Sequence, residues 1–232
     1  MIFLSTLLIS MFITMALIPI FKTIAVKMNA MDFPNPRKVH LAPMPKIGGM
    51  AMALGILVPM ALYLNGDSLI NSIMIGAWIV VIFGVVDDFK NLGYKGKFVG
   101  QVLAALVVVL YGGLKIEIMG ACLPEGVQLP GVISIPLTLV AIVGVTNAIN
   151  LSDGLDGLAG GSSLFIFICI GYLAYTGLYQ PENHFIVIMS AAVIGSIFGF
   201  LRFNTYPATV FMGDAGSQLL GFLAITLSLG LT

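Results

Sequence analysis

Residues 68–86, SLINSIMIGAWIVVIFGVV, carry no charge and run straight into Asp87-Asp88-Phe89-Lys90. A helix needs about 20 apolar residues to cross the hydrocarbon core of a bilayer, so this stretch reads as a membrane span that ends on two carboxylates. Outward from it the pattern repeats. Apolar runs of similar length occupy residues 1–21, 47–64, 98–114, 132–149, 161–178, 184–201 and 215–231, which with 68–86 makes eight expected spans. The whole chain has the matching composition: 59% hydrophobic residues, 9% charged residues and a mean hydropathy of +1.09. A soluble domain of this size could not carry that much apolar surface, so the expected fold is all-α, a polytopic helical membrane bundle in a single domain over residues 1–232.

The first run has no basic residue before it and no small-residue cleavage site after it, so it is expected to be retained as a helix rather than removed as a signal peptide. Formal net charge is zero and no long basic run occurs, which removes the electrostatic footprint of a nucleic-acid binder. Cys122 and Cys169 are the only cysteines, one in a loop and one within a span, so neither a disulfide framework nor a zinc site is expected. With the N-terminus outside, the inner loops collect Lys22, Lys27, Arg37, Lys38, Lys46, Lys90, Lys95, Lys97 and Arg202, and only Lys115 falls outside. That is a strong positive-inside bias, and it puts the polar segments of the chain on the cytoplasmic face; the membrane expected is the plasma (inner) membrane.

Those polar segments are three: Asp87-Asp88-Phe89-Lys90, Asn147 through Gly157, and Phe211-Met212-Gly213-Asp214-Ala215-Gly216-Ser217. They hold five of the ten carboxylates. Ionised groups beside membrane spans are costly enough to point to a site. Asp87 and Asp88 stand at the C-terminal end of their helix, where the dipole disfavours anions; a solvated helix end balanced by Lys90, Lys95 and Lys97 is the alternative to a metal-and-phosphate site in which one of the pair acts as base or nucleophile.

Asn147, Asn150, Asp153 and Asp156 recur every third residue. On an ideal helix this series drifts by about 60° per step, so Gly154, Gly157, Gly160 and Gly161 are expected to break the helix and fold the polar groups toward one point. A turn at Asp153 and a helix cap at Asp156 are the plainer alternatives. Asp214, between Gly213 and Gly216, reads equally as an ordinary N-cap or as a magnesium ligand at a helix N-terminus that also favours phosphate. Gly93-Tyr94-Lys95-Gly96-Lys97 lacks the spacing of a phosphate-binding Walker loop. The proline-rich loop Asp32 to His40, continuing to Lys46, brings cations suited to an anionic substrate, a role that topology and lipid headgroups would also explain.

In order, these segments resemble the polyprenyl-phosphate N-acetylhexosamine-1-phosphate transferases of the glycosyltransferase family 4 type. Members carry an Asp-Asp pair, an Asn-x-x-Asn-x-x-Asp-Gly-x-Asp-Gly-Leu segment and a Phe-Met-Gly-Asp-x-Gly-Ser segment, here Asp87-Asp88, Asn147 to Leu158 and Phe211 to Ser217. The resemblance implies transfer of a sugar-1-phosphate from a UDP-sugar to a membrane polyprenyl phosphate, with release of UMP and with magnesium, or manganese in its place, as cofactor. It implies Asp87 as the catalytic carboxylate, whether base or nucleophile, with Asp88 in support. Asp214 would be the principal metal ligand and Asn150 the second; Asp156 and Asn204 would lie near the nucleotide, Asn147 and Asp153 would bind substrate, and Lys46 and His40 would bind substrate from the basic first loop.

Pro34 to His40 looks more like the branch that uses UDP-N-acetylglucosamine than the branch that uses UDP-N-acetylmuramoyl-pentapeptide, whose first loop carries Thr-Pro-Thr where this sequence has Met44-Pro45-Lys46. Members continue through further helices and a histidine-bearing loop, so the resemblance implies a chain incomplete at its C-terminus, and a homodimer is compatible with it. An ion-coupled transporter, with its site at the midplane, and a non-catalytic scaffold are the readings from other classes.

Overall fold

A computed structural model of the chain describes residues 2–27, 31–33, 43–64, 66–90, 92–118, 127–176 and 184–231. His40, with the rest of the basic stretch from Pro34, and Cys122 lie outside the described residues. Among the described residues the fold is an all-α bundle of eight helices: α1 (Ile2–Lys27), α2 (Gly48–Tyr63), α3 (Ser68–Lys90), α4 (Tyr94–Leu106), α5 (Gly131–Ser152), α6 (Leu158–Thr176), α7 (His184–Asn204) and α8 (Gly213–Leu229). Between α1 and α2 a two-residue antiparallel pair joins β1 (Met31–Asp32) to β2 (Met44–Pro45).

Each expected span corresponds to one helix. Six are long and apolar enough to cross a membrane, counting α4 together with the π-helical turn Val107–Tyr111 that continues it. The other two, α2 and α8, have 16 and 17 residues and lie deeper in the bundle. Two boundaries differ from the sequence reading in a way that matters. α3 continues through Asp87 and Asp88 to Lys90, and α4 starts at Tyr94, so Lys97 is helical as well. Both differences come from polar residues that extend a helix beyond the apolar run.

α8 is the centre of the bundle, buried from Ala215 to Ala224 and packed against α2, α3, α5 and α6. Since lipid is as apolar as leucine, membrane helices associate through close packing and buried polar contacts, which favours small residues at the crossings. α8 follows this rule on three sides. A Cβ on Gly49 of α2 would collide with the backbone of Gly216, one on Gly84 of α3 with the backbone of Ala215, and one on Gly221 with the backbone of Thr146 on α5.

A second packed group joins α1, α2 and α7 through hydroxyls. Thr6, Ser10, Thr14 and Ile18 form a buried stripe along α1. Ser10 Oγ donates to Ala192 O, the Thr14 and Ser196 hydroxyls lie 3.0 Å apart, and Ser196 Oγ donates to Met52 O at 3.2 Å. The loop from α7 to α8 is tied to α2 by Gly48 N to Phe211 O (3.0 Å) and Gly49 N to Met212 O (2.7 Å). The outcome is a fixed N-terminus for α8 at the end of the bundle where α3 stops and α4 starts.

Candidate active site

Asp87 and Asp88 occupy the last turn of α3, and each has a specific compensation. Asp88 accepts the backbone N–H of Asp214 on Oδ1 (2.8 Å) and that of Ala215 on Oδ2 (3.1 Å). A helix leaves its first four N–H groups unpaired, so this carboxylate caps α8 from another helix and sits at the positive end of its dipole. Gly213, at φ 74°, shapes the turn; a Cβ there would stand 2.8 Å from both Asp88 carboxylate oxygens. The N-cap reading of Asp214 is therefore corrected. Its N–H is the group being capped, and its side chain is available to the site.

Asp87 is 4% exposed, which sets aside a solvated helix end. Its Oδ2 lies 3.0 Å from Lys97 Nζ of α4, and the same ammonium lies 2.7 Å from Asp214 Oδ1. Asp214 Oδ1 also accepts a hydrogen bond from Asn150 Nδ2 of α5 at 2.7 Å, and Asn150 Nδ2 donates to Ser217 Oγ at 2.7 Å. Four helices thus bring polar side chains to a single point, α8 supplying both Asp214 and Ser217.

Asp87 Oδ1 is buried and has no hydrogen-bond partner. A buried, unpartnered carboxylate oxygen is expensive, and a bound cation is one way to satisfy it. The donor chemistry fits magnesium: two carboxylates of hard oxygen, and among the described residues no cage of three or more acidic, histidine or cysteine groups. Magnesium commonly binds through one or two carboxylates, with waters and substrate phosphates completing its shell. Asn150 presents its amide nitrogen to Asp214, so in this arrangement it orients the Asp214 carboxylate.

The other expected site residues divide into two groups. Asn147 lies one turn from Asn150 and points to α4, where its amide exchanges hydrogen bonds with Gln101 (2.7 and 3.3 Å). α5 remains helical through Ser152, so the expected break comes too late to fold Asn147 and Asp156 toward one point. Asp156 Oδ2 instead accepts Ala208 N at 3.0 Å, while Asn204 accepts Gly157 N and donates to Val210 O, both at 3.0 Å. This pair fastens the turn after α5 to the loop before α8. Asn204 is 3% exposed and both ends of its carboxamide are engaged with backbone.

Lys46 is held 2.7 Å from Asp32 Oδ1, at the edge of the site. Asp153, in the turn after α5, is pushed up to about 7 by burial and by the charge of Asp214, against the opposing pull of Lys46. A carboxyl raised in the folded state favours the neutral form, so the contribution of Asp153 to stability is fully present below its ordinary value near 3.8 and is lost as pH rises through about 7. Without magnesium, Asp153→Asn should unfold at a higher temperature than wild type above pH 7, and the advantage should vanish toward pH 4. Thermal unfolding in detergent across that range checks it; a pH-independent difference would refute the assignment.

Lys97 is the site residue that sequence reasoning passed over, counting it only as one of three lysines. Its signal was positional: Gly100, Gln101 and Ala104 form the buried stripe of α4, and Lys97 lies one turn before Gln101 on that stripe. Ser217 was quoted only as part of a motif, and its hydroxyl holds Asn150.

Comparison with known proteins agrees with the geometry. Residues 70–232 match the family model described as glycosyl transferase family 4. A probable undecaprenyl-phosphate N-acetylglucosaminyl 1-phosphate transferase of Bacillus subtilis is 39% identical over 223 residues, covering 95% of this chain and 61% of the relative. A decaprenyl-phosphate N-acetylglucosaminephosphotransferase of Mycobacterium leprae is 33% identical, covering 91% of this chain and 58% of the relative. A phospho-N-acetylmuramoyl-pentapeptide-transferase of Halalkalibacterium halodurans is 36% identical over 76% of this chain and 58% of its own. The chain spans about three fifths of the length of the curated relatives it matches. With a family model covering most of its residues and the polar side chains of four helices meeting at one point, the chain belongs to glycosyl transferase family 4.

Proposed function

We propose that this chain carries the acidic core of a phosphoglycosyl transferase that moves N-acetylglucosamine-1-phosphate from its UDP donor to a membrane polyprenyl phosphate. The observation that carries the reading is the meeting of Asp87, Asp214 and Lys97 at the end of a membrane bundle, with Asp87 Oδ1 buried and unpartnered. In the reaction an oxygen of the lipid phosphate attacks the β-phosphorus of the donor, the bond from that phosphorus to the bridging oxygen breaks, and UMP leaves with the electron pair. Asp87 either takes the proton from the lipid phosphate before that attack or, in place of it, itself attacks the β-phosphorus with release of UMP and is then displaced from the phosphorus by the lipid phosphate oxygen. Asp214 and Asp87 would hold magnesium, which when bound would supply charge neutralisation at the diphosphate.

The chain's own residues do the rest. Lys97 brings a cation to the phosphates, and Asn150 and Ser217 fix Asp214. Asp88 holds the N-terminus of α8 in place beneath Asp214. Because phosphoryl transfer is mainly positioning and electrostatics, a site with few reactive groups on four fixed helices suits it. The positive-inside bias supports a cytoplasmic active face at the plasma membrane.

The two relatives named for N-acetylglucosamine phosphate transfer cover 95% and 91% of this chain, against 76% for the pentapeptide transferase, and this supports the simpler donor. A protein that carries this sequence at the full length of its relatives should release UMP from UDP-N-acetylglucosamine at least about tenfold faster than from UDP-N-acetylmuramoyl-pentapeptide, a difference of about 1.4 kcal/mol in the barrier. The reverse preference would move it to the pentapeptide branch.

A further inference from the structure

One helical turn from the charged groups, toward the middle of the bundle, lies a second polar layer. α4 carries Lys97 and Gln101, α5 carries Asn150 and Asn147, and α8 carries Asp214 and Gln218. These spacings of three or four residues put both members of each pair on one helix face. The upper members meet at Asp214 Oδ1, and the lower members meet at the carboxamide of Gln101. Gln101 Nε2 donates to Gln218 Oε1 (3.1 Å) and to Asn147 Oδ1 (3.3 Å), and its Oε1 accepts from Asn147 Nδ2 (2.7 Å). Gln101 and Gln218 are each 1% exposed.

α4 packs on α3 and α5 and reaches the central α8 chiefly by two side-chain bridges, Lys97 to Asp214 and Gln101 to Gln218. Phe98, Val99 and Leu103 face outward, and the helix then widens into the π turn Val107–Tyr111. Gln218 Nε2 is buried without a partner, a penalty that an apolar side chain would not carry. What the position supplies is therefore its acceptor, Oε1, which receives Gln101.

We propose that Gln101 is a positioning residue that, through Gln218 and Asn147, fixes the rotation of α4 and so holds the Lys97 ammonium between Asp87 and Asp214. The geometric statement stands on the contacts above; its consequence for catalysis rests on the proposed transferase activity. A rotation of α4 that breaks the lower bridge also swings Lys97 off the carboxylates, since both side chains share one face.

The test is acetylation of the folded protein by an N-hydroxysuccinimide ester, with mass spectrometry of Lys97 and of the exposed Lys95 as internal reference. Lys97, paired with two carboxylates, should react about fivefold or more slowly than Lys95. Gln101→Met, which keeps length and removes the amide, should raise Lys97 labelling about threefold and leave Lys95 unchanged; Gln218→Met should do the same, and it serves if Gln101→Met does not fold. Ile142→Ala, a buried cavity variant on α5, controls for general loosening and should leave the ratio alone. An unchanged ratio in the glutamine variants, or an equal rise in Ile142→Ala, overturns the proposal.

In a protein of the relatives' full length, Gln101→Met should lower kcat about tenfold with donor KM within about twofold, and should add nothing in a Lys97→Met background. An equal further loss in that background would show that Gln101 acts independently and would overturn the proposal. If the wild type transfers nothing while the labelling pattern holds, the functional reading fails and the positioning of Lys97 stands.

Discussion

Asp87→Asn should lower UMP release about 10²- to 10⁴-fold, the usual contribution of a positioned acid or base, while the protein remains folded in detergent. The side chains have the same shape, and no hydrogen bond to Asp87 Oδ1 is lost, because none is made. Asparagine does lose the charge that faces Lys97, so the ammonium keeps Asp214 alone as its anionic partner. Asp88→Asn should behave differently. Its task is to accept two backbone N–H bonds at the start of α8, and one amide oxygen can accept them only in part, so the variant should lose stability of about 0.5–2 kcal/mol, in the range of helix caps, with activity falling as α8 loosens. Parallel measurement of rate and thermal midpoint separates the two; an Asp87→Asn protein with near-normal turnover would remove Asp87 from the chemistry.

Gly49→Leu should give no folded protein. A side chain at this position in α2 would enter the backbone of Gly216 in α8, and backbone cannot move aside as a flexible side chain can. Even Gly49→Ala places its one methyl on the Gly216 amide, so its thermal midpoint should fall by several degrees, about the size of a ~2 kcal/mol loss. Gly144→Ala on α5 is the control, because a Cβ there meets nothing within 4 Å. Size-exclusion behaviour and thermal unfolding in detergent decide it, and a monodisperse Gly49→Leu protein as stable as wild type would contradict the α2–α8 crossing.

The architecture was legible because lipid demands long apolar runs, and eight such runs map onto eight helices. What could not be read was which helix lies at the centre. The helices are apolar on most faces, so hydrophobic periodicity does not tell a lipid-facing side from a buried one. The small residues of α8, Ala215, Gly216 and Gly221, were visible in the sequence, but their partners Gly49, Gly84 and Thr146 lie on three other helices. Pairings between helices are non-local, and one sequence does not reveal them.

The site follows the same division. Asp87, Asp88, Asn150 and Asp214 stood out because polar groups beside membrane spans are costly. The link from Asp88 to the α8 N-terminus, 126 residues away, and the double pairing of Lys97 needed the fold. The family resemblance alone placed Asp156 and Asn204 near the nucleotide; in the fold they hold two loops together through backbone hydrogen bonds.

The central claim is that this acidic cluster serves the transfer of a phosphosugar, and the fate of the β-phosphorus tests it most directly. UDP-N-acetylglucosamine labelled with ³²P at the β position is incubated with undecaprenyl phosphate, magnesium and a protein that carries this sequence at the full length of its relatives. The account predicts that the label moves into the lipid fraction in step with UMP release, and that both stop when magnesium is chelated or Asp87 is replaced by Asn. Label that remains with the nucleotide as UDP while sugar reaches the lipid would mean that the sugar–phosphate bond is the one broken, and would contradict it.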